Sequence, residues 1–170
     1  MFKVILKTLF LCFFSITLFG QNDSFKVSAI DDYVSQINPI QIKVDSFTFT
    51  IDSIQIDGLK YEHTIVAKSL FQKSKTILTT TFYLKDEKMI FAKVVEPSPS
   101  KGFEKMYRYC DFYFENSKVI FERCRATRQL GVAININGNN ANIYGYNESL
   151  TFDFLKNYVA ILYNRLQNYR

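Results

Sequence analysis

Histidine is almost missing from this chain, and much acid–base and metal chemistry goes with it: His63 is the only one. A catalytic imidazole needs a nucleophile or an orienting carboxylate within hydrogen-bond reach, whereas Tyr61-Glu62-His63-Thr64-Ile65 reads as an ordinary strand. No G-x-S-x-G, H-E-x-x-H, G-x-G-x-x-G or G-x-x-x-x-G-K-[ST] pattern occurs, so the common hydrolase, zincin, dinucleotide and P-loop readings have no support. Catalytic residues, metal ligands and cofactors are all expected to be none. An enzyme would require His63 in a cleft beside Asp or Glu.

Tryptophan is absent, and only three prolines, six glycines and three cysteines occur in 170 residues. No arginine-rich run is present, so nucleic acid is not an expected partner. No apolar run reaches the roughly twenty residues that a membrane-spanning helix needs. The longest, Thr8 to Phe19, follows Lys3 and Lys7 and precedes Gly20 and the polar Gln21, Asn22 and Asp23. A basic start, a short apolar centre and a small residue before a polar stretch are the layout of a secretory signal. Residues 1–20 are therefore expected to be removed, leaving 21–170 as one globular domain, secreted or periplasmic, with no transmembrane segment. Cys12 follows Leu9-Phe10-Leu11, where a lipid-anchor motif would carry a small residue. Loss of Lys3 and Lys7 takes the formal charge from +5 to +3, mildly basic and compatible with weak attraction to acidic envelope polymers.

What is abundant is aromatic. Seventeen Phe and eleven Tyr make up 16% of the chain, and such rings favour half-buried strand positions. Ile30, Tyr33, Val34 and Ile37 have helical spacing, with Ser28 and Asp31 resembling a capping box and Pro39 as a stop, which predicts a short helix over about 28–37. From Ile40 the period becomes two, through Phe47, Phe49, Ile51, Ile54, Ile56, Leu59 and Tyr61. Asp57-Gly58 reads as the hairpin turn in that stretch, and Lys68 to Lys75 as a solvated loop or short helix. A third hairpin is expected over Val132 to Tyr146, turning at Asn137-Gly138-Asn139-Asn140. Leu155, Tyr158, Val159, Leu162 and Leu166 then predict an amphipathic helix over about 150–167, capped by Asn147 or Ser149.

Phe82-Tyr83-Leu84-Lys85-Asp86-Glu87-Lys88-Met89-Ile90-Phe91 recurs thirty positions later as Phe112-Tyr113-Phe114-Glu115-Asn116-Ser117-Lys118-Val119-Ile120-Phe121, with five of ten positions identical. Each copy reads as a β-hairpin, and the pair as a repeated meander unit. With two-residue loops and straight ladders, Phe82 faces Phe91, Leu84 faces Met89, Phe112 faces Phe121 and Phe114 faces Val119, all on one side. Burial of those side chains is worth roughly 1.5–3 kcal/mol each, so that side should be the core. The other side would carry Tyr83 opposite Ile90, Tyr113 opposite Ile120 and Tyr109 opposite Cys124. In this register Cys110 faces Arg123 and cannot reach Cys124. A three-residue loop would place the cysteines opposite each other and allow a disulfide. The first register is favoured because it matches the phenylalanines and sets Glu115 against Lys118.

Tyr83, Tyr107, Tyr109 and Tyr113, with Ile90 and Ile120 between them, form the one candidate binding surface: apolar bodies with polar tips, suited to a protein or a glycan. The alternative is that one of the two helices covers this face. Asp45, Asp52 and Asp57, seven and five residues apart, fit turns and solvent faces better than a calcium site. The Asn135–Asn142 cluster suits tight turns.

The hairpin unit at 112–121, its copy at 82–91 and the helix ending at Ile37-Asn38 resemble a loose group of uncharacterised exported bacterial proteins, with a signal peptide and repeated hairpins of the form Y-Y-F-x-N-G-K-L-I-F. The match covers about half the chain and departs at Ser117 and at Asp86-Glu87. The resemblance implies location and architecture, and no catalytic residues. MORN-type repeats need regular glycines that are missing here.

The expected fold is α+β: an antiparallel β-meander of about seven to nine strands with an N-terminal and a C-terminal helix packed on it. A lipocalin-like β-barrel with a C-terminal helix is the alternative, weakened by the lack of tryptophan. The expected function is a non-catalytic exported binding or interaction domain of the cell envelope, its partner an envelope or extracellular protein or glycan. The alternative is a carrier of a small apolar ligand in a barrel cavity.

Overall fold

A computed structural model describes residues 23–39, 42–98, 106–128, 133–135 and 146–169. The expected signal segment and the turn of the third hairpin lie outside the described residues. Two compact units divide at Pro39. In the first, residues 23–37 form helix α1, so the helix is already running five residues before Ser28, which cannot cap it. Ile30, Tyr33, Val34 and Ile37 are the less exposed stripe, as their spacing requires.

The second unit is an antiparallel meander: β1 (Lys43–Ile51), β2 (Ile54–Tyr61), β3 (Thr64–Phe71), β4 (Thr76–Lys85), β5 (Lys88–Pro97), β6 (Met106–Glu115), β7 (Lys118–Arg128) and β8 (Ala133–Asn135). Spatial order equals chain order. Among the described residues β1 pairs only with β2 and β8 only with β7. The sheet is therefore open, which excludes the lipocalin-like barrel and with it the barrel interior that an apolar-ligand carrier would use.

Three turns differ from expectation. Asp57-Gly58 is not a hairpin turn. The parity of the apolar residues flips between Ile51 and Ile54, and the chain reverses there, at Asp52-Ser53, with Asp52 at φ 50°. Gly58 instead sits mid-strand opposite Phe47, where a Cβ would collide with the Phe47 ring and the Val66 carbonyl oxygen. His63 lies in the Glu62-His63 turn rather than in a strand. The apolar part of 68–75 extends β3 to Phe71 before residues 72–75 turn.

The repeated hairpins carry the two-residue turns read from the sequence. Asp86 and Glu87 have φ 50° and 63°, Asn116 and Ser117 φ 49° and 64°, the left-handed pair that a type I′ turn requires. Leu84 faces Met89, Phe114 faces Val119 and Glu115 faces Lys118, as expected. Beyond those pairs each ladder slips by one: Tyr83 pairs with Phe91 and Tyr113 with Phe121. Ile90 and Ile120 are the extra residues of two equivalent β-bulges. The phenylalanines are consequently split. Phe82, Leu84, Met89, Phe112, Phe114 and Val119 join the main core, while Phe91 and Phe121 pair with tyrosines on the other face. The slip also sets Cys110 opposite Cys124, and the two form a disulfide. The sequence reading found two ways to align the ladder and missed this third one.

Helix α2 (Phe152–Gln167) covers the core face with Leu155, Tyr158, Val159, Leu162 and Tyr163. Its N-cap is Thr151, whose Oγ1 accepts from the Phe154 N–H at 3.1 Å, in place of Asn147 or Ser149. Two phenols fix it to the sheet: Tyr158 donates to Ser69 Oγ at 2.6 Å, and Tyr163 donates to the Glu87 carbonyl while accepting from the Met89 N–H. Burial pushes the pKa of Tyr158 up to about 12, opposed by its bond to Ser69. No helix among the described residues is long and apolar enough to cross a membrane.

Candidate functional site

Two polar constellations are built into the second unit, one on each face of β5–β7. On the α2 face, alternation places Glu96 two residues beyond Val94 and Arg108 two before Cys110, and the strand register sets them opposite each other. Both are buried and they form an ion pair. The Asn147 N–H donates to Glu96 Oε1 at 3.0 Å, and its Nδ2 donates to Thr76 Oγ1 at 3.0 Å. The Arg108 guanidinium lies 5.6 Å from the centre of the Tyr146 ring. Burial raises the pKa of Glu96 above the ordinary range, against the lowering effects of Arg108 and the Asn147 N–H. A cleft of about 370 Å³ opens beside the pair, lined by Ser74, Thr76, Ile77, Pro97 and Asn147 with Glu96 in its wall. Both carboxylate oxygens face donors, so the pair works as an anchor tying the chain segment that enters α2 to the end of the sheet. Sequence reasoning missed it, although two opposite charges at core-parity positions of neighbouring strands were a readable signal.

On the opposite face the bulges align three rows across β5, β6 and β7. The first is aromatic: Tyr83, Phe91, Tyr113 and Phe121 follow one another with ring centroids 5.3, 4.7 and 5.5 Å apart. Tyr83, Phe91 and Tyr113 are buried and Phe121 is exposed, so Tyr83 and Tyr113 serve packing, contrary to the expectation that they offer a binding surface. Ile90 and Ile120 sit in the bulges, half-buried, and do not lie between the tyrosines as a straight ladder would have them.

The next two rows carry charge, and their Lys93, Arg123 and Arg125 side chains are partly exposed. Asp111, fully buried, accepts from Arg123 Nε at 2.8 Å and lies 3.1 Å from Arg125 Nη1, both through Oδ2. Arg123 Nη2 also donates to the Tyr113 hydroxyl at 2.8 Å. Lys93 is opposite Asp111 on β5, and its ammonium lies 5.8 Å from the Tyr109 ring centre, with Arg125 5.9 Å from the same ring. Tyr107 and Tyr109, both half-buried, have centroids 6.1 Å apart. Of the residues named from the sequence, the structure thus brings Tyr107 and Tyr109 together at an accessible edge. It adds Lys93, Arg123 and Arg125, which sequence reasoning missed because a straight ladder sends Arg123 to the core side.

His63 Nε2 is 3.7 Å from Glu62 Oε1 in a solvent-exposed turn, and its carbonyl accepts from the Leu84 N–H at 2.8 Å. Among the described residues no three His, Cys, Asp or Glu side chains converge as a metal site would require. Comparison with known protein families, with curated proteins and with solved structures finds no match.

Proposed function

We propose that the chain is an exported, non-catalytic binding module of the cell envelope or extracellular space, engaging its ligand through the Tyr107–Tyr109 edge of the outer sheet face. The observation that carries this reading is the half-buried tyrosine pair, with Lys93 and Arg125 both placed against Tyr109. Amphipathic rings on a rigid sheet give contact area at little cost in conformational freedom, the property that enriches Tyr at interfaces. Export is supported by the basic–apolar–polar layout of residues 1–23, by the likeness to exported hairpin proteins, and by the Cys110–Cys124 disulfide, a bond that persists in oxidising compartments.

The test is recovery of envelope components by the purified chain and by a Tyr107→Ala/Tyr109→Ala variant. The variant should recover markedly less of the ligand, and equal recovery would remove the tyrosine edge from consideration. Mass measurement of the protein after export should show loss of residues 1–20. A retained N-terminus would refute the signal reading while leaving the binding edge untouched.

A further inference from the structure

The last turns of α2 end beside the Asp52-Ser53 turn, and a cleft of about 490 Å³ lies between them, a size within the range of small-ligand sites, roughly 300–1,000 Å³. Asp52 lines it from the turn and Arg165 from the helix, with Asn164, Asn168, Ile51 and Ile161 around them. We propose that this cleft binds a short apolar peptide as a zwitterion, the peptide carboxylate on Arg165 and its ammonium on Asp52. The site is separate from the Tyr107–Tyr109 edge and does not depend on it.

The argument begins with charge. Asp52 and Arg165 are opposite in sign and share one cleft, yet neither side chain forms an ion pair or hydrogen bond, with the other or with any other residue. Local structure accounts for an acid at a left-handed turn position and for a base in a last helical turn. Either duty would be met equally with the two side chains paired. An anion alone would be drawn to Arg165 and repelled by Asp52, and a cation alone would meet the reverse. A ligand charged oppositely at its two ends satisfies both. The guanidinium fork matches a carboxylate bidentately.

Between the charges the lining is amide and alkyl. The Asn164 side chain has no hydrogen bond, and Asn168 spends one N–H on the Asn164 carbonyl at 2.8 Å, which leaves its Oδ1 free to accept. A side-chain amide offers both donor and acceptor, the complement of a peptide link. Ile161 is 56% exposed, and Ile51 lines the same cleft half-buried. An apolar ligand side chain would take both out of water. Phosphoethanolamine, the zwitterion of a lipid headgroup, carries the two charges without a peptide link or an apolar body.

The probe is the dipeptide leucyl-leucine, titrated at neutral pH against the isotope-labelled full chain and followed by amide chemical shifts. It should saturate, with the largest shifts in the Asp52-Ser53 turn and the last turn of α2. N-acetyl-leucyl-leucine lacks the ammonium and leucyl-leucine amide lacks the carboxylate. Each should bind about fivefold more weakly, the upper end for one solvent-facing charge pair. Asp52→Asn, a residue that tolerates the φ of 50° there, should abolish the penalty for acetylation alone. Arg165→Gln, which keeps a good helix former, should abolish the penalty for amidation alone. A merely structural role for either residue would not produce that reciprocal pattern. Tyr107→Ala/Tyr109→Ala should bind leucyl-leucine as wild type does, so failure here leaves the tyrosine edge to its own test. Absence of saturable shifts, or shifts centred away from the cleft, would overturn the proposal. So would equal binding of the free and blocked peptides, and phosphoethanolamine binding as tightly as leucyl-leucine would overturn the choice of a peptide.

Discussion

Arg108→Met keeps the length of the side chain and takes away the cation that Glu96 faces. Glu96 is 2% exposed and Arg108 5%, so neither lone partner could recover its hydration. Breaking a buried pair from one side costs about 3–5 kcal/mol, a large share of the 5–15 kcal/mol that holds an ordinary domain together. Glu96→Gln strands the guanidinium in the same way, although an amide oxygen there still accepts from the Asn147 N–H. The double variant removes both charges and should return to within about 2 kcal/mol of wild type, since apolar or neutral replacements of a buried pair are often nearly neutral. Urea unfolding of the four proteins at neutral pH, disulfide intact, closes the cycle, with an expected coupling of about 3 kcal/mol or more. If the double variant is as unstable as the singles summed, the two residues do not act as a pair and the anchor reading fails.

The same residue predicts the sign of a pH dependence. Burial lifts the native pKa of Glu96 above the ordinary 4.5, so the folded chain holds that proton more tightly than the unfolded chain. The resulting stability is complete below the ordinary value and drains away as pH rises through the raised native one. Wild type should therefore gain stability relative to Glu96→Gln as pH falls from neutral towards 4.5. The opposite slope would mean that attraction to Arg108 outweighs burial.

Gly58→Ala should destabilise by about 1–3 kcal/mol, the usual range for overpacking, because the added carbon meets backbone at Val66 as well as the Phe47 ring; thermal unfolding unchanged from wild type would contradict the close approach. Replacing both Cys110 and Cys124 with alanine should cost about 3 kcal/mol on a chain-entropy estimate for a fifteen-residue loop, and alkylation before and after reduction, read by mass, should label the two thiols only afterwards. Alkaline titration followed by tyrosinate absorbance should show one phenol ionising near pH 12, missing in Tyr158→Phe, with stability falling as pH climbs from 10 towards 12. A native protein whose phenols all ionise near the ordinary value would show that Tyr158 is not sealed under α2.

Much of this architecture was legible because it is local. The period-two stretches, the change to helical spacing after Leu150 and the two-residue turns all follow from side chains within a few positions of one another. Thr151 displaced the expected caps because helix ends depend on a single hydroxyl, and Asp57-Gly58 misled because a glycine that tolerates a turn equally makes room for a neighbour's ring. Among the candidate residues, Tyr107 and Tyr109 were legible by composition. Their charged neighbours were not, because Lys93, Asp111, Arg123 and Arg125 meet only when three strands are set in register, and a single inserted residue decides which face each one takes.

That inserted residue is the same in both copies of the repeat, Ile90 and Ile120, and energetics explain why the ladder slips there. A straight ladder in the second hairpin would put Arg123 opposite Cys110, on the face that α2 seals. Burying an unpaired guanidinium costs several kcal/mol, and Arg125 would follow it two positions later. A bulge forfeits local pairing at one residue, and a net hydrogen bond is worth only about 1 kcal/mol. The slip therefore wins, moving Phe121 off the core face and keeping two arginines partly exposed on the other. Its consequences are coupled: the sulfurs meet, Asp111 acquires both guanidiniums, and Tyr109 comes to lie beside Arg125. The disulfide and the Asp111–Arg123–Arg125 cluster are thus two results of one register choice, made by where the arginines can be solvated.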